Sequence, residues 1–328
     1  MKKRKTIIAC AAIAVVLLAA LGYAVLREPF VRTETVLAEG LSTQTTLYTL
    51  DSGKPGKTIF FLAGTHGNEE AGYEAARKMV DALKPKAGKI LLIPEANRPA
   101  IQAYMRTTPD GVNMNRVYPG DTEGNDVEKL CAQITALIAC EQPVAVIDMH
   151  EGFNFYGVEG SIGNSIVAGL DAESFLLLPD ILDYVNSRNG DLRAFTYDTN
   201  APKGSLNREM HHLLGVDTYT IETSQKLPLE TRIRQQLTFV EGLLTLYGIP
   251  YQMDLPQERG KRGKRVVRIL GLGDNVCDMY VHEKRMYPGG QALNVAVYSS
   301  MLGAQSQYMG TFGTDDVAAC VSITTAFA

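Results

Sequence analysis

Hydrophobic and polar positions are most unevenly spread at the start of the chain. Lys2, Lys3, Arg4 and Lys5 precede an uncharged, largely apolar run over residues 6–26, which Arg27 and Glu28 close. A run of about 20 residues matches the hydrocarbon thickness of a bilayer, and a basic flank stays on the cytoplasmic side. Residues 1–27 are therefore expected to form a basic cytoplasmic end and a single-pass membrane anchor, with the rest of the chain outside the cytoplasm. The alternative is a cleaved signal peptide and a secreted protein, although Leu21-Gly22-Tyr23-Ala24 offers only a weak cleavage site.

Beyond the anchor the pattern changes period. Residues 28–51 read as a linker and short strands, with alternation through residues 44–50. Short apolar runs at 58–63, 89–94, 144–149 and 218–222 predict buried strands. Helical spacing of apolar positions is found over 70–83, 126–140 and 232–247, and a shorter helix is expected at 207–214. Strands alternating with helices predict an α/β fold: a mostly parallel sheet with helices on both faces. Sites in such sheets form beyond the carboxyl ends of the strands. The stretch Gln257-Glu-Arg-Gly-Lys-Arg-Gly-Lys-Arg has no apolar face, and residues 253–264 are read as a linker. Residues 28–252 then form the main domain, and 265–328 a second piece.

Composition narrows the function classes. Of 328 residues, 45% are hydrophobic and 21% charged, with a formal net charge of -4. No global basic field exists, so nucleic acid is not an expected partner. The five cysteines (Cys10, Cys131, Cys140, Cys277 and Cys320) form no CxxC pair, which excludes a thiolate zinc knuckle or a thioredoxin-like site. Cys131 and Cys140 share one helical pattern and stand about 13 Å apart on it, too far for a disulfide.

The chemistry concentrates at strand ends. Gly64-Thr65-His66-Gly67-Asn68-Glu69 follows the strand at 58–63, and His66 and Glu69 on one tight turn can converge on an ion. His150, at the end of the run at 144–149, is delivered to the same sheet edge. Two imidazoles and a carboxylate leave a position for water on a hydrolytic zinc. These motifs, with Asn113-Met114-Asn115-Arg116, resemble the succinylglutamate desuccinylase/aspartoacylase branch of the zinc carboxypeptidases over about residues 58–247. The resemblance implies one zinc ion held by His66, Glu69 and His150. It implies a substrate-carboxylate clamp at Asn115 and Arg116, a role that suits the bidentate guanidinium fork, and Arg106 as the residue that polarises the scissile carbonyl. Glu222, in Tyr219-Thr-Ile-Glu-Thr, would be the general base toward a zinc-activated water. Ser224 stands where the family pattern has glycine. The expected activity is amide hydrolysis on small peptides or N-acyl amino acids. A non-catalytic binding module with the same fold is the rival. Asp148 and Glu151 are candidates for a hydrogen bond to His150 from outside the metal shell, and His211 and His212 are expected to face solvent.

From residue 265 the sequence resembles the start of a ribokinase-like (PfkB-type) sugar kinase, fructoselysine kinase among its relatives. That resemblance places Asp274, Gly290 and Asn294 at sugar-contacting positions in an incomplete Rossmann-like fragment. It covers only about 60 residues, without the downstream catalytic base or Gly-rich anion loop. The expectation is a fused remnant or gene-model artefact, without kinase activity.

Overall fold

The computed structural model describes residues 30–171 and 174–255, and beyond these the backbone of four short strands between residues 268 and 309. The chain separates into two compact units, Met1–Leu255 and Pro256–Ala328. Eight strands of the first unit form one sheet: β1 (Val31–Leu37), β2 (Thr45–Asp51), β3 (Thr58–Ala63), β5 (Lys89–Ile93), β6 (Ala145–Gly152), β7 (Ser165–Gly169), β8 (Thr196–Asp198) and β9 (Asp217–Ser224). Their spatial order is β1-β2-β5-β3-β6-β9-β7-β8. A separate two-stranded ribbon pairs β4 (Leu83–Pro85) with β10 (Tyr251–Met253). Among the described residues, the helices of eight or more residues are α1 (Glu70–Ala82), α3 (Asp126–Glu141), α4 (Leu178–Asn186), α5 (Leu206–Leu214) and α6 (Leu229–Leu246), and α2 (Arg98–Ala103) is shorter.

The centre of the sheet, β5-β3-β6-β9, is parallel, as the alternation of strands and helices predicts. Both flanks add antiparallel pairs, β1 with β2, β2 with β5, and β7 with β9. The reason on the β7 side is the connection: the chain turns back from β6 through a loop at 153–164, with no crossover helix to carry it round in parallel.

Period-two alternation divides the sheet residues between two cores. Ile59, Phe61, Ala145, Ile147, Met149, Tyr219 and Ile221 pack with α1, α4 and α6. Phe60, Leu62 and Val146 pack instead with Val127, Leu130, Ile134 and Ile138 of α3 and Leu206 and Met210 of α5. Fully burying an aliphatic or phenyl side chain is worth ~1.5–3 kcal/mol, so both faces are held firmly. Helix α3 starts at a capping box, in which Asn125 and Glu128 satisfy each other's backbone donors.

Two strands run longer than their apolar pattern suggests. β6 continues to Gly152 and β9 to Ser224, so His150 lies within its strand and not after it, and Glu222, expected as the last residue of its strand, is followed by two more. Elements β7, α4 and β8 fall in a stretch where no periodic pattern marks them. From β3 the chain passes to β5 on one side, while β6 lands on the other. That topological switch opens a crevice at the carboxyl ends of β3 and β6.

Among the described residues, no helix is long and apolar enough to cross a membrane. The expected anchor at residues 1–27 lies outside the described residues. In the second unit, β11 (Arg268–Leu272) pairs in parallel with β14 (Gln305–Met309), and β12 (Val276–Tyr280) antiparallel with β13 (Arg285–Gly289). Asp274, Gly290 and Asn294 also lie outside the described residues.

Candidate active site

The turn after β3 depends on two glycines. Gly64 has φ +74, and a Cβ at Gly67 would sit 1.9 Å from the Ala100 carbonyl oxygen. Only glycine lets the loop turn there and press against α2. The loop then delivers His66 and Glu69 to the switch-point crevice. Glu69 occupies the N-cap position of α1 but makes no capping bond with its side chain. Its carboxylate is turned toward the histidines instead, with Oε1 2.7 Å from His66 Nδ1 and Oε2 2.8 Å from His150 Nδ1. All three side chains are buried.

The outer nitrogen of each ring also meets an oxygen. His66 Nε2 lies 3.2 Å from Asn113 Oδ1, an oxygen that also accepts the Asn115 backbone N–H. His150 Nε2 lies 2.7 Å from Asp148 Oδ2, out of line for a well-formed hydrogen bond. The two Nδ1 atoms stand 3.2 Å apart, both against the one Glu69 carboxylate. Two imidazole nitrogens and a carboxylate gathered this closely suit a shared cation. The ligand atoms of His66, Glu69 and His150 all lie within 4.8 Å of one another. Two imidazoles and a carboxylate are an N/O set that catalytic zinc takes.

The electrostatics agree. Burial lowers the His66 pKa, favouring the neutral ring. Burial alone would raise Glu69, but the two adjacent histidines hold its carboxyl well below the usual range. Burial opposes charge on His150, yet Asp148 and Glu69 together push its pKa well above the ordinary histidine value. Without a metal ion, then, a proton occupies part of the cluster.

Glu222 is the register neighbour of His150 across the parallel β6–β9 pair, on the same face of the sheet. It is 7% exposed, and its side chain makes no hydrogen bond to a described residue. Burial, opposed by His150 and aided by Glu69, lifts its pKa to about 8. Glu69, Glu222, Arg106 and Arg116 line one cavity of about 510 Å³, with Phe153 and Ile162 on its wall. Arg116 gives one N–H to the Asn115 carbonyl at 2.6 Å and has no carboxylate partner among the described residues. Partial burial and the nearby Arg106 lower its pKa.

Two expected residues are used otherwise than the motif implies. Asn115 does not line the cavity; its Oδ1 accepts the Leu206 backbone N–H at 3.3 Å and seats the start of α5. Arg106 donates to Glu69 Oε1 at 2.8 Å, drawn there by the densest negative charge in the crevice. Of the two acidic neighbours of His150, Asp148 approaches its ring and Glu151 does not. Glu151 faces the other core, where Ala71 N–H, Thr223 Oγ1 and Arg232 donate to it. It thus caps α1 from a distant strand, while its backbone N–H donates to Glu69 Oε2 at 3.0 Å. His211 accepts from or donates to nothing in the crevice; its Nδ1 meets the Val216 carbonyl.

Sequence reasoning missed Asn113, Arg232 and Gln236, whose Nε2 donates to the His150 carbonyl at 2.7 Å. Asn113 stands in the quoted Asn-Met-Asn-Arg motif and was within reach of it. Arg232 and Gln236 carry no local signal, because helix α6 lies far along the chain from β6.

The family model described as the succinylglutamate desuccinylase/aspartoacylase catalytic domain matches residues 55–246. Over 100 residues the chain is 36% identical to an N-alpha-acetyl-L-2,4-diaminobutyric acid deacetylase of Halomonas elongata, covering 30% of this chain and 29% of that protein. A second, shorter likeness is to the fructosamine kinase FrlD of Bacillus subtilis: 47% identity over 53 residues, 16% of this chain and 19% of the kinase. Among solved structures, the mDAP-bound form of Helicobacter pylori Csd4, a D,L-carboxypeptidase, superimposes with a TM-score of 0.55 at 21% identity, covering 62% of this chain and 53% of that one. The chain spans less than a third of the length of either curated relative.

Proposed function

Because the chain belongs to the succinylglutamate desuccinylase/aspartoacylase catalytic-domain family, we propose that it is a zinc-dependent hydrolase of amide bonds in N-acyl amino acids or small peptides. One observation carries this reading: two imidazole nitrogens converge on one carboxylate, and that carboxylate shares a cavity with a buried glutamate whose side chain has no hydrogen-bond partner among the described residues.

His66, Glu69 and His150 would hold the metal, with Asn113 and Asp148 fixing the ring orientations from outside. A zinc ion there would supply a Lewis acid and a water acidified toward neutrality. Glu222 takes the proton of the attacking water and returns it to the leaving amine. Burial raises its pKa to about 8, which suits a group that must both accept and release a proton near neutral pH. Arg116, free of any carboxylate among the described residues, grips the carboxylate of the substrate and so orients the amide. Arg106 can serve the scissile carbonyl only by leaving Glu69.

The Halomonas protein is a deacetylase of an N-acyl amino acid, and the Helicobacter protein is a D,L-carboxypeptidase. These likenesses support both N-acyl amino acids and peptides as substrates without choosing between them. The basic cluster and apolar run at residues 2–26 support a membrane-anchored protein whose hydrolase unit lies outside the cytoplasm. The likeness to a kinase is confined to a short match, and kinase activity forms no part of the proposal.

The test is direct. The purified full chain is analysed for bound metal and assayed against N-acyl amino acids and short peptides. Equimolar zinc is expected, with hydrolysis abolished by a chelator and restored by zinc. A zinc-loaded chain that cleaves no member of either class would sink the proposal.

A further inference from the structure

The cavity has an apolar side that the metal site and the clamp leave unexplained. Phe153 and Ile162 line it, yet they stay 53% and 37% exposed. Both belong to the β6–β7 loop, which is closed by its own bonds. The Asn154 backbone N–H donates to Ser161 Oγ at 2.8 Å, Ser161 Oγ donates to the Asn154 carbonyl at 2.6 Å, and Tyr156 N–H donates to the Gly163 carbonyl at 2.5 Å. Gly163 is packed so tightly that a Cβ there would stand 2.1 Å from the Asn154 carbonyl oxygen. The loop thus brings two large apolar side chains to the wall of a cavity whose other side chains are charged or polar. Exposed apolar surface gathered at a concave site marks a place where something apolar is covered.

The charges restrict what else can enter. The lining carries the carboxylates Glu69, Glu151 and Glu222 against the guanidiniums Arg106 and Arg116. Arg106 is already bonded to Glu69, so Arg116 is the one cation of the lining free of a carboxylate among the described residues. One substrate carboxylate is matched. A second would find no unpaired cation in the lining, because Arg106 is held by Glu69.

We propose that the substrate's amino-acid portion is apolar: a large aliphatic or aromatic side chain seats on Phe153 and Ile162 beside the single carboxylate held by Arg116. The inference rests on the hydrolase reading and narrows its substrate class to N-acyl derivatives of apolar amino acids, or peptides ending in one, and away from acidic amino acids.

The experiment measures kcat/KM of the full zinc-loaded chain on N-acetyl-leucine, N-acetylphenylalanine, N-acetylglycine, N-acetylaspartate and N-acetylglutamate. The apolar pair is expected to lead the others by roughly tenfold or more, the scale on which apolar pockets discriminate. Phe153→Ser and Ile162→Thr should each shrink the leucine-to-glycine ratio severalfold, chiefly through KM, and Phe153→Leu should restore most of it. Both positions are solvent-exposed, and circular dichroism checks that the variants fold. Hydrolysis with equal or better use of the acidic substrates, or a ratio that neither variant moves, overturns this inference and leaves the hydrolase reading standing. No hydrolysis of any member, nor of short peptides with the same C-terminal residues, overturns both.

Discussion

Strand β9 carries a buried carboxylate at each end, and the two are treated in opposite ways. Asp217 and Glu222 are 8% and 7% exposed, so burial does not distinguish them. Their neighbours do. Asp217 Oδ2 accepts the Tyr247 hydroxyl at 2.6 Å, and Tyr247 in turn meets the Tyr219 hydroxyl at 2.8 Å. This end of the strand is a closed polar network in which each partner completes the next. At the other end Glu222 has no hydrogen-bond donor among the described residues, only charges at a distance and an open cavity. A buried acid with its bonds filled fixes structure, whereas one left without them carries a free-energy cost that a folded chain keeps where chemistry needs it.

Glu151 stands between these extremes, fully buried but held by a guanidinium, a hydroxyl and a helix N-terminus. Four measurements would sharpen or break the contrast. The largest effect belongs to Glu222→Gln. It is expected to lower kcat for amide hydrolysis by ~10²–10⁴-fold with zinc content intact; a variant that keeps its rate would make the carboxylate structural after all. Next comes Arg232→Met, which strands the Glu151 charge beneath α1. Removing one partner of a buried pair costs about 3–5 kcal/mol, read as a lower urea midpoint, and an unchanged midpoint would show that Glu151 is not held by this pair.

Tyr247→Phe should be milder. It breaks the Asp217 network and costs about 1–3 kcal/mol, with kcat/KM per folded molecule unaltered, because nothing at that end of β9 reaches the cavity. A rate defect in this variant would erase the distinction between the two ends. The smallest effect is a pH slope. The folded-state pKa of Glu222 is raised to about 8, above an ordinary glutamate near 4.3. The protonated form is therefore the one that folding favours. Its contribution is fully present below about pH 4.3 and is lost as pH rises through about 8. In chelator-treated protein, Tm should fall more steeply between about pH 5 and pH 8 for the natural chain than for Glu222→Gln. Parallel slopes would remove Glu222 as the titrating group.

Much of the crevice is legible in the sequence, for a physical reason. His66 and Glu69 sit on one turn, so their convergence is local and three residues of sequence contain it. Strands β3, β5 and β6 announce themselves through mostly apolar runs, since a central parallel strand is buried on both faces. The stretch holding β7, α4 and β8 does not. β7 and β8 are five and three residues long, too short for a period to stand out from a loop. Arg106 and Asn115 show the limit of motif reasoning. A motif gives residue types in order, but Arg106 turns to the nearest buried carboxylate and Asn115 to an unpaired helix N–H.

Sequence alone determined the layered α/β plan, the identity of the donors on each strand exit, and the lack of a net basic charge suited to nucleic acid. Those follow from periodicity and composition, which are properties of neighbours along the chain. Tertiary structure decided that His150 and Glu222 become register partners, that both Nδ1 atoms face one carboxylate, and that Glu151 belongs to the opposite core. These depend on which strands lie side by side, and a strand turns each side chain to one face or the other according to a register that distant segments set together.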